Sequence, residues 1–176
     1  MKERTFFLPE FFSTRIATEL ERLGFSFSHP KRLADAVLRL SDHYNNNPSA
    51  MTQWKETWAQ AASLAYFFPL NYARNLAVAR EAKRLGFFTE LKTLFDFGSG
   101  TGSALLAFLD EMPAASPPAE LNIFAVDSSQ TALDLANCLD ANGLFANHRN
   151  NFSREVVLAV ETAVWNQANG NAVAPT

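Results

Sequence analysis

The feature that most constrains this chain is a glycine cluster set between an apolar run and a helical stretch. Three of the seven glycines, Gly98, Gly100 and Gly102, fall within five residues. They follow Leu94-Phe95-Asp96-Phe97, which predicts a buried strand, and they precede a stretch from Ser103 that predicts a helix. Glycine suits this turn because it adopts positive φ angles and lets another group approach the backbone. A helix start after such a turn can bind an anion, so the cluster predicts an α/β unit with a ligand site.

A second predicted strand strengthens this interpretation. It spans Leu121 to Asp127 and ends in an acid, 25 residues after Gly102. An acid at the end of the strand beside a glycine turn can hold a ribose diol. The spacing G-x-G-x-G lacks the third glycine position of the nicotinamide and flavin fingerprint, and no lysine follows as a phosphate-binding P-loop requires. A methyl-donor site, another nucleotide site and a tight turn with no ligand all stay open at this point.

Helical periodicity dominates the first half of the chain, so we expect a helical N-terminal region at 1–90 and a partial α/β domain at 91–176. The apolar stripes predict four helices, two of which end at Gly24 and Gly86. The third is predicted to begin at Pro48 and to carry Trp54 and Trp58 on one stripe, which is interpreted as a core face with a base-stacking platform as the alternative. Pro69 is predicted to interrupt the helices.

The α/β unit is predicted to be incomplete. Beyond the two strands, only Glu155–Val160 is a further candidate, and it is open between a helix and a third strand. A central strand with one unpaired edge would leave backbone groups unsatisfied beside apolar side chains. We therefore expect the chain to be part of a longer enzyme, or to be completed by a partner chain or by forming a homo-oligomer.

Charge and composition narrow the class of protein. Residues 1–95 carry 13 Lys and Arg against 9 Asp and Glu, whereas residues 96–176 carry 2 against 9. A basic first half is compatible with a polyanionic partner such as RNA and equally with ordinary solvated helix faces. No apolar run approaches the roughly 20 residues of a membrane span, and the N-terminus does not resemble a secretory signal. One cysteine, Cys138, excludes an internal disulfide, so we expect a cytoplasmic protein with no metal site.

The chain resembles a known family at two motifs. Asp96-Phe97-Gly98-Ser99-Gly100-Thr101-Gly102 is similar to the first motif of class I S-adenosylmethionine-dependent methyltransferases. The segment Tyr66-Phe67-Phe68-Pro69-Leu70-Asn71-Tyr72-Ala73-Arg74-Asn75 lies one helix ahead of it. This order resembles the methyltransferase-like proteins associated with the small subunit of the mitochondrial ribosome, and their bacterial relatives, over roughly residues 50–140. The resemblance implies a doubly wound, Rossmann-type fold and a role on small-subunit ribosomal RNA or in assembly of that subunit.

The resemblance also implies roles for individual residues toward S-adenosylmethionine. The backbone of Gly98, Ser99, Gly100, Thr101 and Gly102 is expected to face the methionine carboxylate, with Asp96 beneath the turn. Asp127 is expected to take the ribose hydroxyls, and Ser128 to line the adenosine side. Tyr72 is expected to cover the donor or stack on a target base, with a packed core tyrosine as the alternative.

The sequence assigns no catalytic residue. Three functions stay open: a methyltransferase acting on RNA, a catalytically inactive donor-binding assembly factor, and a small-molecule or protein methyltransferase. The basic residues of the fourth helix, Arg80, Lys83 and Arg84, are the expected RNA contacts that would separate the first function from the third.

Overall fold

The described part of the chain is helix-rich and contains a small parallel sheet. The computed structural model describes residues 8–89, 91–112 and 121–140. Within them the helices are α1 (Glu10–Arg22), α2 (Pro30–Asn46), α3 (Thr57–Ala62), α4 (Phe68–Arg84), α5 (Ser103–Glu111) and α6 (Gln130–Leu139), and the strands are β1 (Thr93–Phe97) and β2 (Asn122–Val126). This mixture is compatible with the α/β class expected from the sequence. The candidate segment Glu155–Val160 lies outside the described residues.

Helices α1 to α4 share one apolar core with α5, β2 and α6. The aromatic rings of Phe12, Phe68 and Tyr72 are fully buried and pack edge-to-face or stacked on one another. Gly24 and Gly86 end α1 and α4 as predicted, each at a positive φ angle. The residue after each glycine donates its N–H back into the helix, which satisfies carbonyls that the helix end would leave open. Among the described residues, no helix is both long and apolar enough to cross a membrane.

The start of the third helix was predicted wrongly. α3 begins at Thr57, so Trp54 lies in the preceding loop rather than on a helical stripe. Tertiary contacts hold this loop out of the helix. The Tyr44 hydroxyl hydrogen-bonds Thr52 at 2.8 Å, and the Gln60 side-chain amide donates to the Trp54 carbonyl at 2.8 Å.

Pro69 does not break the helices apart, although an interruption was predicted there. A π-helical turn, Ser63–Phe67, joins α3 to α4, and Phe68 donates its N–H to the Ser63 carbonyl. Proline lacks the N–H that would continue the ordinary ladder, but it is accommodated in the first turn of α4. A π-helical turn inside a helix is frequently found at functional sites, and this one places Ser63 and Phe67 toward the site described below.

The two strands and α5 form a parallel strand–helix–strand unit. β1 and β2 pair in parallel with Thr93 opposite Asn122 and Phe97 opposite Val126. Leu94 and Asp96 are half-buried, whereas Phe95 and Phe97 are 45% and 41% exposed. The prediction of a fully buried β1 is therefore wrong, because in the described part of the chain only one face of the sheet is covered.

The helical region packs against the same unit and brings its loop to the end of the sheet. α4 packs along α5, and α1 contacts α6. The Arg15 guanidinium donates to the Cys138 carbonyl at 2.9 Å, which ties α1 to the end of α6. Trp54 lies beside the glycine turn that follows β1, so the turn is enclosed between the sheet and the helical region.

Candidate functional site

The turn after β1 has a backbone that glycine alone adopts without strain. Gly98, Gly100 and Gly102 have φ angles of 65°, 53° and 73°, within the left-handed region. Gly102 directly precedes α5 and its carbonyl accepts from the Leu106 N–H at 2.9 Å. The Ser99 N–H donates to the Val126 carbonyl at 3.0 Å, which extends the pairing of the two strands into the turn.

Asp127 connects the glycine turn to the end of β2 and the start of α6. Its Oδ2 accepts from the Gly100 N–H at 2.8 Å, and its Oδ1 accepts from the Ser129 N–H at 2.9 Å. The strand register explains this position, because residues 98 and 127 follow the paired residues Phe97 and Val126. Asp127 is half-buried, and each carboxylate oxygen can accept a further hydrogen bond.

A cavity of about 420 Å³ lies between the glycine turn and the helical region. We call it the turn cavity. It falls within the range of roughly 300–1,000 Å³ typical of small-molecule sites. The sheet side contributes the turn and Asp127, and the helical side contributes aromatic and polar side chains; the lining residues are Tyr44, Thr52, Trp54, Ser63, Phe67, Asn71, Gly98, Ser99, Gly100, Thr101, Ser103 and Asp127.

Most of the residues expected at the site from the sequence do meet at this cavity. Gly98, Ser99, Gly100, Thr101 and Asp127 line it directly. The other four lie around it or apart from it. Asp96 is half-buried at the end of β1, Gly102 is buried at the start of α5, Ser128 lines a neighbouring cleft, and Tyr72 lies in the helical core.

Tyr72 is placed in the core by the packing of α4. Only 1% of its surface is exposed, its ring stacks on Phe68, and its hydroxyl donates to Asp110 Oδ2 on α5. Burial and the Asp110 hydrogen bond both raise the pKa of the Tyr72 hydroxyl. Asn71, its neighbour on α4, lines the cavity instead, because successive helical residues point in different directions.

Some backbone amides of the turn remain available to a ligand. The N–H groups of Ser99, Gly100 and Gly102 are used within the turn and its neighbours. Those of Thr101 and Ser103, which line the cavity, donate to no group in the described part of the chain. Unused N–H groups at the start of a helix favour an anion such as a carboxylate.

A buried polar pair lies beneath these amides. Within residues 8–89, 91–112 and 121–140, neither Asp96 Oδ2 nor Ser99 Oγ makes a hydrogen bond of normal geometry, and both atoms are buried. Burial raises the pKa of the Asp96 carboxyl, while the nearby Ser99 hydroxyl and Leu105 N–H offset part of the rise. Ser99 also lines the cavity, and because its hydroxyl both donates and accepts, it can contact a polar ligand group as well as Asp96.

Several lining residues were missed in the sequence. Trp54 was placed on a core stripe, yet its ring lies 3.8 Å from the position that a Gly100 Cβ would occupy. Tyr44, Ser63 and Phe67 were assigned no role at the site. The proline after the aromatic segment was the one available signal, since it marks the π-helical turn that directs Ser63 and Phe67 to the cavity.

The three basic residues of α4 that were expected to contact RNA are paired with acids rather than free. Arg80 and Lys83 lie 2.8 and 3.6 Å from the Glu111 carboxylate, and Arg84 lies 2.6 Å from Glu81. These ion pairs offset much of the positive charge that was predicted to contact RNA. The three cations are themselves largely exposed, so these pairs add little to stability.

Comparison with protein-family models, with curated proteins and with solved structures gives no match for this chain.

Proposed function

We propose that this chain binds S-adenosylmethionine in the turn cavity and functions as a methyltransferase acting on RNA, with small-subunit ribosomal RNA as the expected target. The observation that carries the proposal is the composition of the turn cavity. It combines the unused amides of Thr101 and Ser103 with the Asp127 carboxylate on the opposite side of the turn. Such a function would place the chain in the cytoplasm.

The residues of the cavity suit the separate parts of the donor. The amides of Thr101 and Ser103 offer hydrogen bonds to the amino-acid carboxylate, and Ser99 lines the same cavity. Asp127 keeps acceptor capacity for the ribose hydroxyls beyond its two backbone contacts. When bound, S-adenosylmethionine supplies a methyl group on a positively charged sulfur for an in-line displacement, so the contribution of this chain is mainly alignment.

We further propose that the α/β part is an incomplete doubly wound unit. The glycine turn after β1, the acid after β2 and the parallel strand–helix–strand order support it. The exposed rings of Phe95 and Phe97, stacked 4.8 Å apart, support completion of the sheet by a partner chain or a second copy.

The second candidate is a donor-binding assembly factor without activity, and one observation favours it. Among the described residues that line the cavity, the ionisable side chains are Asp127 and Tyr44. Asp127 already accepts from two backbone N–H groups, and the Tyr44 hydroxyl is hydrogen-bonded to Thr52. Neither is poised as a general base, so donor binding and methyl transfer must be tested separately.

Calorimetric titration with S-adenosylmethionine and with its demethylated product, S-adenosylhomocysteine, tests the donor site. Asp127→Ala is expected to weaken both roughly tenfold or more, because a hydrogen bond to a charged group contributes about 1.5–3 kcal/mol. Asp134→Ala is the matched control, since Asp134 is exposed on α6 and, among the described residues, accepts only from the Gln130 side chain.

Two further measurements complete this test. Thermal unfolding of Asp127→Asn, which keeps the size of the side chain, separates loss of the ligand contact from loss of the turn. Transfer of a radiolabelled methyl group to total RNA then distinguishes an enzyme from an inactive binder. Absence of any heat with either ligand on the wild-type chain would reject both candidates.

A further inference from the structure

A second cleft adjoins the turn cavity and shares part of its wall. It has a volume of about 740 Å³ and lies between the loop that precedes α3 and the start of α6. Thr52 and Trp54 line both cavities. A molecule in this cleft would therefore sit beside the proposed donor, at the place from which an acceptor can approach.

The cleft carries two cations that have no acidic partner. Arg39 and Lys55 line it, and in the part of the chain that the structure describes neither makes an ion pair or a hydrogen bond. This contrasts with Arg80, Lys83 and Arg84 of α4, which are paired with Glu111 and Glu81. Unpaired cations in a cleft mark a site for an anionic partner. One carboxylate, that of Glu56, also lines the cleft, so the cations outnumber it.

Arg39 is held in a way that leaves its hydrogen-bond donors available. Its guanidinium lies over the Trp58 ring, 3.9 Å from the centroid. This cation–π contact forms no hydrogen bond, and in the described part of the chain the five N–H donors of Arg39 meet no acceptor. The ring therefore fixes Arg39 while its edge remains free for a phosphate, which it can bind in a bidentate manner.

The remaining walls suit a nucleotide. Trp54 is half-buried between the two cavities and offers an aromatic surface. Ser128 and Thr131 add hydroxyl groups on the opposite side. Cations for the phosphates, an aromatic ring for a base and hydroxyls for polar edges are the combination that binds single-stranded nucleic acid.

We propose that this cleft binds single-stranded RNA, with Arg39 and Lys55 on the phosphates and Trp54 against a base. That the RNA is the methyl acceptor rests on the function proposed above, but the binding itself does not. Single-stranded rather than duplex RNA is inferred because a base can reach Trp54 only when it is unstacked from its neighbours.

Fluorescence anisotropy with a labelled single-stranded oligoribonucleotide of mixed sequence tests this inference. We expect Arg39→Gln with Lys55→Gln to lower the affinity about 25-fold at 0.1 M salt and to reduce the salt slope by about 1.4, because each lost phosphate contact contributes about 0.7 on a single strand. The matched control is Arg80→Gln with Lys83→Gln, which removes the same number of cations from α4 and should change the affinity less than threefold.

A second variant and a stability measurement separate loss of RNA contacts from loss of the folded structure. Arg39→Gln removes the contact with Trp58, so thermal unfolding is measured alongside, and the exposed Lys55→Gln is tested alone with an expected slope change of about 0.7. Equal affinities for the double variant and the α4 control would overturn the inference. A nucleoside monophosphate that displaces the oligonucleotide at equal concentration would overturn it in favour of a small phosphorylated ligand.

Donor binding separates failure of this inference from failure of the proposed function. The Arg39 and Lys55 variant should bind S-adenosylhomocysteine as the wild type does. If the wild type binds no donor but its RNA affinity depends on Arg39 and Lys55, the methyltransferase proposal fails and the RNA cleft stands. If the wild type binds the donor but its RNA affinity does not change when Arg39 and Lys55 are substituted, the RNA cleft is rejected and the methyltransferase proposal stands.

Discussion

Substitution of Gly98 by alanine separates the stability of the glycine turn from its ability to hold a ligand. Gly98 has a φ angle of 65°, and a Cβ built on it meets nothing within 4 Å. The substitution therefore adds backbone strain but no clash in the unliganded protein. A left-handed conformation costs an L-residue about 1–2 kcal/mol. For a chain of this length, the melting temperature should fall by roughly 2–8 °C.

Gly24→Ala provides the matched control. Gly24 has a φ angle of 78° and equally open space, but it ends α1, away from the turn cavity. Both variants should lose similar stability in thermal unfolding followed by circular dichroism. Only Gly98→Ala should lose donor affinity, by roughly 10- to 150-fold, since its methyl group holds the ligand away from the backbone and removes a charge-assisted hydrogen bond. Equal binding of S-adenosylhomocysteine by the two variants would refute the argument.

Three other predictions concern the core, the buried acid and the open sheet. Tyr72→Phe should lower the free energy of unfolding by about 1–3 kcal/mol, because it removes the hydrogen bond to Asp110. Calorimetry should show that donor affinity is unchanged. A tenfold loss of donor affinity would instead place Tyr72 at the donor site. Burial raises the pKa of Asp96 above its usual value of 3.8, so stability from its protonated form is present below pH 3.8 and is lost as the pH rises through the folded-state pKa. Asp96→Asn should therefore raise the melting temperature relative to wild type at pH 7 but not at pH 3.5, and an equal shift at both values would contradict this. Phe95→Ser with Phe97→Ser should shift the chain toward the monomer in size-exclusion chromatography with light scattering; unchanged association together with a lower melting temperature would show that these rings are covered within one chain.

The sequence was sufficient to predict the local elements of the site. The switch from an apolar run to glycines and then to a helical stretch located β1, the turn and α5 closely, because each element obeys its own periodicity. The acid at Asp127 was placed beside the turn for the same reason. Parallel strands of equal length end at the same edge of a sheet, and the register then brings residues 98 and 127 together.

The sequence was not sufficient to predict which side chains close the site. Trp54 was expected on a helical stripe but lines the cavity from a loop, whereas Tyr72 is the packed core tyrosine that was its alternative interpretation. The buried Tyr72 hydrogen-bonds Asp110 of α5, whereas the Gln60 side chain holds Trp54 in a loop. Such choices depend on contacts between residues far apart in the chain, which periodicity does not encode.

The charge of the helical region shows the same limit. Arg80, Lys83 and Arg84 form an obvious basic cluster in the sequence, but Glu111 from α5 and Glu81 neutralise it. Arg39 and Lys55 are less conspicuous because 15 residues separate them and acids lie nearby in the chain. Only the packing of the loop against α2 and α6 brings the two cations to one cleft.

The central claim is that the backbone of the glycine turn holds a methyl donor, and the glycine amides report on it directly. With only seven glycines in the chain, labelling with ¹⁵N-glycine gives a simple amide spectrum in which each signal can be assigned by substitution. We predict that S-adenosylhomocysteine shifts the signals of Gly98 and Gly100 and leaves those of Gly24 and Gly86 in place. A spectrum unchanged at saturating ligand, or shifts confined to Gly24 and Gly86, would contradict the claim.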